Sequence, residues 1–262
     1  MRPRAPSLGE ASMRLHYERA GSGPALLLLH GIGSNSRSFR HLSELADAYD
    51  VIAWDAPGYG RSDDPPHALS MAENADAAAR LLDELTIERA HVLGVSMGGV
   101  IAQLLYHRRP LRVASLILVD TTAGGSSPER LRQRLDAIDH LGPRRLAEQR
   151  APQLVRPDAP AALVEELTDI MAEVRPAGYR AAALALAATD LTRLLPNISV
   201  PTLVMHGEDD AIVPLATGRE LAAAIPGAQL HVIAKAGHVS NQERPGAFNA
   251  AVRAFLRERT PL

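Results

Sequence analysis

His91-Val-Leu-Gly94-Val-Ser96-Met-Gly98 is a short apolar run that passes directly into Gly-x-Ser-x-Gly, then into Gly99-Val-Ile-Ala-Gln-Leu-Leu-Tyr-His107. The pattern predicts a strand, a sharp turn and a helix, with Ser96 at the turn. A serine placed there lifts its hydroxyl clear of the sheet. Glycines two residues before and after leave room where a Cβ would meet backbone. The helix that follows aims its N-terminal amides and positive dipole end at the same point. One turn can therefore present a nucleophile and part of an anion-stabilising site.

Outward from this turn the same rhythm recurs. Apolar runs at 25–30, 51–55, 91–96, 114–120, 202–207 and 229–234 each close on a histidine, aspartate, serine, glycine or alanine. Continuous apolarity, rather than alternation, marks strands buried on both faces of a parallel sheet. Helical stretches fall between them at about 38–48, 70–85, 97–107, 215–225 and 245–257. The segment 12–20 alternates and ends at Gly21-Ser-Gly-Pro24, which fits an antiparallel edge strand. Strand and helix in alternation predict a doubly wound α/β domain with its ligand site at the carboxyl ends of the strands. The rhythm breaks between Thr121 and Asn197, a stretch rich in arginine, proline and alanine. A helical insertion at the ligand edge reads as a cap over the site.

Composition bounds the function. The chain has 262 residues, 46% hydrophobic and 22% charged, with a formal net charge of −2. That length suits one large domain with an insertion. The charge balance argues against nucleic-acid or membrane-surface partners, which call for a basic face. No cysteine is present, which excludes disulfides, a thiolate nucleophile and Cys-ligated metal. The basic start, Met1-Arg-Pro-Arg-Ala-Pro-Ser-Leu-Gly, lacks the apolar stretch of a secretory signal, and no run reaches the roughly 18–20 residues that span a bilayer. A cytoplasmic protein is the expectation, and a homodimer is compatible with it.

A serine hydroxyl needs a base in hydrogen-bond reach, and the base needs a partner that fixes its tautomer. Of ten histidines, His16, His41, His67, His107 and His140 read as solvated, and His91, His206 and His231 as packed in or beside strands. His238 follows the last strand and Gly237 on the loop where a mobile base belongs. The acid comes from Gly207-Glu-Asp-Asp210, with Asp120 at the end of an earlier strand as rival. Two backbone N–H donors are wanted for the negative oxygen of a tetrahedral intermediate. Met97 offers one, and Ile32 in His30-Gly31-Ile32-Gly33 offers the other. The Asp55-Ala-Pro-Gly58-Tyr-Gly60-Arg-Ser62 segment has neither phosphate-loop nor dinucleotide spacing and reads as a structural turn. No metal-ligand spacing occurs, so neither metal nor cofactor is expected.

Together these motifs resemble the α/β-hydrolase superfamily over nearly the whole chain. The matching residues are His30-Gly31-x-Gly33, Asp55-x-x-Gly58-x-Gly60-x-Ser62, Gly94-Val-Ser96-Met-Gly98-Gly99, Gly207-x-x-Asp210-x-x-x-Pro214 and Gly237-His238. The resemblance implies a mostly parallel eight-stranded sheet flanked by helices, a core of 1–120 and 198–262, and a helical cap at 121–197. It also selects Asp210 as the acid over Glu208, Asp209 and Asp120. Ser96 stands where related dehalogenases and epoxide hydrolases carry aspartate, which excludes those activities.

The segment Ala236-Gly-His238-Val-Ser-Asn241-Gln-Glu-Arg-Pro245 is similar to that around the catalytic histidine of 3-oxoadipate enol-lactonases. His30-Gly31 departs from their pattern and is usual in carboxylesterases and in meta-cleavage-product hydrolases, whereas Val95 departs from the asparagine of the latter. The resemblance thus implies a serine hydrolase of a small carboxylic ester or lactone, acting through an acyl-enzyme. The alternatives are a C–C bond hydrolase and a ligand-sensing protein on the same fold. Arg130, Arg132, Arg134, Arg144, Arg145 and Arg180 are expected mostly on the solvent face of the cap; one turned inward would favour an acidic substrate.

Overall fold

The apolar and alternating runs become seven strands in the computed structural model, which describes residues 13–258. They are β1 (Tyr17–Ala20), β2 (Ala25–Leu29), β3 (Asp50–Trp54), β4 (Ala90–Val95), β5 (Val113–Val119), β6 (Thr202–Gly207) and β7 (Gln229–Ile233). Their order in the sheet is β1-β3-β2-β4-β5-β6-β7. Only β1 runs antiparallel to its neighbour; every other pair is parallel. The expected eighth strand is not among the described residues. Seven runs carry a strand pattern in the sequence, and the count of eight came from the family resemblance. The edge strand is also shorter than the alternation at 12–20 predicts. Before Tyr17 the Arg14 and His16 amides donate to the Asp63 and Ser62 side chains, at 2.8 Å each, rather than to a strand. Residue 12 and the basic segment at 1–9 lie outside the described residues.

Strands β2 to β6 are buried along their length except at Ala114 of β5, which is partly buried. Alternate residues divide between two cores, as a period of two requires. Leu27, Leu29, Ile52, Trp54, Val92, Leu116 and Leu118 face one layer. It is built by α1 (Met71–Glu84), α2 (Met97–Arg108) and α6 (Leu215–Ala224). Leu26, Leu28, Val51, Leu93, Ile117 and Met205 face the other core, against Phe39, Leu42 and Leu45 and against Phe248, Val252 and Phe255 of α8 (Pro245–Arg257). The predicted helix at 38–48 is a run of 3-10 turns, Ser36–Asp47, opened by the Asn35 side chain accepting from the Arg37 amide. Ser70 and Glu73 form a reciprocal capping box at the start of α1, which supplies partners for two end donors of that helix.

Between β5 and β6 the chain leaves the sheet and forms α3 (Pro128–Arg150), α4 (Ala161–Ala172) and α5 (Pro176–Ala187). Gly142 has φ 73° and precedes Pro143, so α3 breaks there into two pieces. The two ends of the insertion meet at a bridge between Gly124 and Asp190, and the Leu191 amide donates to the Ala123 carbonyl at 2.8 Å. Among the described residues no helix is long and apolar enough to cross a membrane.

Candidate active site

Ser96 sits between β4 and α2 with φ 53° and ψ −114°, a left-handed conformation rare for a residue with a Cβ. The turn is possible because of its neighbours. A Cβ on Gly94 would lie 2.2 Å from the Gly98 carbonyl oxygen, and one on Gly98 would lie 1.9 Å from the Leu29 carbonyl oxygen. The Ser96 amide donates to the Val119 carbonyl at 2.9 Å, and the Thr121 hydroxyl donates to the Ser96 carbonyl at 2.6 Å. These contacts tie the strained turn to β5 and to the first residues of the insertion.

His238, Asp210 and Ser96 come together from loops 142 and 28 residues apart in sequence. His238 Nδ1–H donates to Asp210 Oδ2 at 2.8 Å, and the Ser96 hydroxyl donates to His238 Nε2 at 3.1 Å. The other oxygen of Asp210 accepts the Ile212 and Val213 amides at 2.8 and 2.9 Å. The carboxylate therefore cannot rotate away from the imidazole without losing both. The His238 backbone is braced from the insertion side, its amide donating to the Leu154 carbonyl at 2.8 Å.

Neighbouring acids have other tasks. The Glu208 carboxylate accepts the Lys235 amide at 3.1 Å, and Asp209 pairs with Arg156. Asp120, the rival acid, accepts the Gly207 amide at 2.8 Å, the Ser240 amide at 3.2 Å and the Ser240 hydroxyl at 2.7 Å. It staples β5 to β6 and to α7 (Ser240–Glu243), and is not bonded to His238. Burial lifts its carboxyl to about 6; His238 opposes the rise and the Asp210 charge adds to it.

Asp120, Asp210 and His206 bring potential ligand atoms within 4.8 Å of one another. Their inward atoms are already engaged, since His206 Nε2–H donates to the Val213 carbonyl at 2.8 Å and both carboxylates accept the amides just described. The cluster works as a hydrogen-bonded support beneath the Asp210 loop. In the sequence His206 reads only as a packed strand residue, and its position four residues before Asp210 is the available signal.

The loop after β2 presses on the serine, and a Cβ on Gly31 would come within 3.3 Å of the Ser96 Cβ. His30 locks that loop: its Nδ1–H donates to the Gly31 carbonyl at 2.8 Å and its Nε2 accepts the Ala56 amide at 3.0 Å. Burial lowers its pKa, so the ring stays neutral and acts as a strut. Ile32 lines the cavity beside Ser96, and among the described residues its amide meets no backbone acceptor. Met97 opens α2, where first-turn amides lack intrahelical partners. The 55–62 segment is the structural turn its spacing predicts, with Asp55 accepting the Ser36 and Arg61 amides at 2.7 and 2.8 Å.

Two cavities meet at Ser96. The larger runs under the insertion between Leu154, Leu167, Ile170 and Met171 on one side and Ile32, Val95 and His238 on the other. The smaller passes Met97, Val100 and Thr121. Arg134 borders both. Of the six arginines singled out in the insertion it is the buried one. Arg144 pairs with Asp169 and Glu148, and Arg180 with Asp139, on the outer surface. Arg150, whose place in the sequence gives no sign of it, also lines the larger cavity.

Residues 26–251 match the family described as Alpha/beta hydrolase family. Over 258 residues, 96% of each chain, the protein is 31% identical to 3-oxoadipate enol-lactonase 2 of Acinetobacter baylyi. It is 33% identical to a 2-hydroxy-6-oxononadienedioate/2-hydroxy-6-oxononatrienedioate hydrolase of Cupriavidus pinatubonensis, covering 95% of this chain and 92% of that one. A solved thermophilic esterase from Thermogutta terrifontis, described as malate bound, superposes with a TM-score of 0.89 at 34% identity over 95% of each chain. The chain belongs to the alpha/beta hydrolase family and is a hydrolytic enzyme.

Proposed function

We propose that the protein hydrolyses a small carboxylic ester or lactone through an acyl-enzyme formed on Ser96. The observation that carries this is the continuous chain from Asp210 through His238 to the Ser96 hydroxyl, at 2.8 and 3.1 Å, opening onto the larger cavity. His238 Nε2 takes the hydroxyl proton as Ser96 Oγ adds to the carbonyl carbon. The carbonyl oxygen becomes an oxyanion held by the Ile32 and Met97 amides. Collapse of this intermediate breaks the C–O bond, and the leaving oxygen takes the proton from His238. Water then adds to the acyl carbon, giving its proton to His238. The second collapse frees the acid and returns the proton to Ser96. Asp210 holds the imidazole in the tautomer that leaves Nε2 free and stabilises its charged form.

In this reading residues 121–197 act as a cap, because their side chains form the roof of the larger cavity. C–C bond hydrolysis is a second reading, favoured by the similarity to the Cupriavidus dienedioate hydrolase. Val95 beside Ser96 is apolar and offers a dienol substrate no hydrogen bond. Side-by-side assays on p-nitrophenyl acetate, an enol-lactone and a dienoate separate the two. Turnover of the ester or lactone with Ser96→Ala reduced by several orders of magnitude is expected. Faster turnover of the dienoate than of either ester substrate would favour C–C cleavage. Stoichiometric, single-turnover hydrolysis with tight product retention would favour a ligand sensor.

A further inference from the structure

Arg134 projects from α3 into the space above Ser96, and its residue is 7% exposed. Among the described residues its guanidinium makes no ion pair and no hydrogen bond, and its Nε–H is enclosed without an acceptor. Neither cavity that it shares with Ser96 has an aspartate or glutamate in its wall. The ionisable groups acting on it are two phenols, Tyr59 and Tyr179, and two more guanidiniums, Arg130 and Arg150. Burial pushes the Tyr59 hydroxyl well above its usual range, so it supplies no negative charge.

This arrangement is unlike that of the other arginines nearby. Arg144 and Arg180 have carboxylate partners at the surface, where a partner contributes least. Arg134 is enclosed, where a lone charge is costly, and has none. A guanidinium cannot relieve that cost by giving up its proton near neutral pH. What it can do is take a partner from solution, and its planar fork fits the two oxygens of a carboxylate. The cavity that Arg134 and Ser96 share has apolar wall at Leu167, Ile170 and Met171, which suits a short hydrocarbon link.

We propose that Arg134 is the receptor for a free carboxylate carried by the substrate, so that the ester or lactone opened at Ser96 is an anionic one. The proposal rests on the reading of Ser96 as nucleophile and sharpens it. Arg150 adds positive charge in the same cavity and assists capture. A neutral substrate of equal length leaves the enclosed guanidinium without a partner, and a site of that kind rejects the analogue that lacks the group.

The test compares mono-p-nitrophenyl esters of glutarate and adipate with p-nitrophenyl pentanoate and hexanoate, after subtraction of uncatalysed hydrolysis. In the wild-type protein, kcat/KM is expected to favour the anionic ester at one of the two lengths. In Arg134→Gln the ratio of anionic to neutral kcat/KM is expected to fall by about 100-fold, with Arg134→Lys between the two. Free glutarate or adipate is expected to raise the melting temperature of wild type and of Ser96→Ala, but not of Arg134→Gln. No preference in the wild type, or a preference that survives in folded Arg134→Gln, overturns the proposal. If Arg134→Gln does not fold, Arg134→Lys decides: an unchanged ratio overturns the proposal, and a reduced one supports it. Ser96→Ala keeps the two ideas distinct. Hydrolysis surviving in that variant defeats the nucleophile reading. An inactive Ser96→Ala beside a wild type indifferent to charge defeats only the receptor.

Discussion

Ser96 occupies a backbone conformation that costs a residue with a Cβ on the order of 1–3 kcal/mol. It is held there by the Val119 carbonyl, the Thr121 hydroxyl and two glycines that approach other backbone too closely for any side chain. Beneath it, Asp120 binds its proton more tightly in the folded protein, at about 6, than an unfolded carboxyl does near 3.9. Its stabilising contribution is therefore complete below about pH 4 and is lost as pH rises through about 6. Asp120→Asn cannot titrate. The stability of wild type relative to this variant is expected to fall by on the order of 1–3 kcal/mol between about pH 4 and pH 7. Denaturant titrations at both pH values check this, because Asp210, His206 and His238, which surround Asp120, are common to both proteins. A constant difference would contradict it.

At the scale of elements, the strand–turn–helix around Ser96 depends on Gly98 more than on any side chain. A Cβ there would lie 1.9 Å from the Leu29 carbonyl oxygen in the neighbouring strand, and neither backbone can yield without disturbing β2. Gly98→Ala is expected to destabilise by about 3 kcal/mol or more, or to prevent folding. Gly246, in the first turn of α8, has nothing within 4 Å of an added Cβ, so Gly246→Ala is expected to stabilise by about 0.5 kcal/mol. Urea midpoints that move in the same direction for both would contradict the packing argument.

The elements were legible in the sequence for the same local reasons: apolar runs for β2 to β6, and glycines at fixed offsets from Ser96. The 3-10 character of Ser36–Asp47 was not, because its spacing of Phe39, Leu42 and Leu45 fits a helix of either kind. Asp210 could be chosen over Asp120 only through the family pattern, since both acids end strands at the same edge. The contact that separates them, His238 Nδ1–H donating to Asp210 at 2.8 Å, is made by tertiary geometry. Arg134 lay among six similar arginines. Its signal was the spacing of four to Ile138, the next buried position of α3.

At the scale of the molecule, the insertion is fastened to the sheet domain beside His238 and also by polar contacts along a rim at Arg175. Arg175 donates to Asp64 at 2.6 Å and to the Gly60 and Ser62 carbonyls at 2.8 Å each. Beside it, Gly178 packs so closely on Gly58 that a Cβ would lie 2.4 Å from the Gly58 carbonyl oxygen. Arg37 with Glu173 and Arg40 with Glu166 add half-exposed ion pairs, worth little singly. Arg175→Ala removes three charge-assisted bonds at once, and a loss of about 1–3 kcal/mol in unfolding free energy is expected. Its effect on kcat/KM is expected to be larger for substrates that fill the larger cavity than for p-nitrophenyl acetate. Equal effects on all substrates would mean that the rim does not govern the roof.

The proposed catalysis turns on a covalent bond to Ser96. Rapid-quench mass spectrometry during turnover of a slow p-nitrophenyl ester tests it most directly. The expected result is a transient mass increase equal to the acyl group, mapped to the peptide containing Ser96 and absent from folded Ser96→Ala. Steady hydrolysis by Ser96→Ala at the wild-type rate, or an acyl group mapped to another residue, would contradict it.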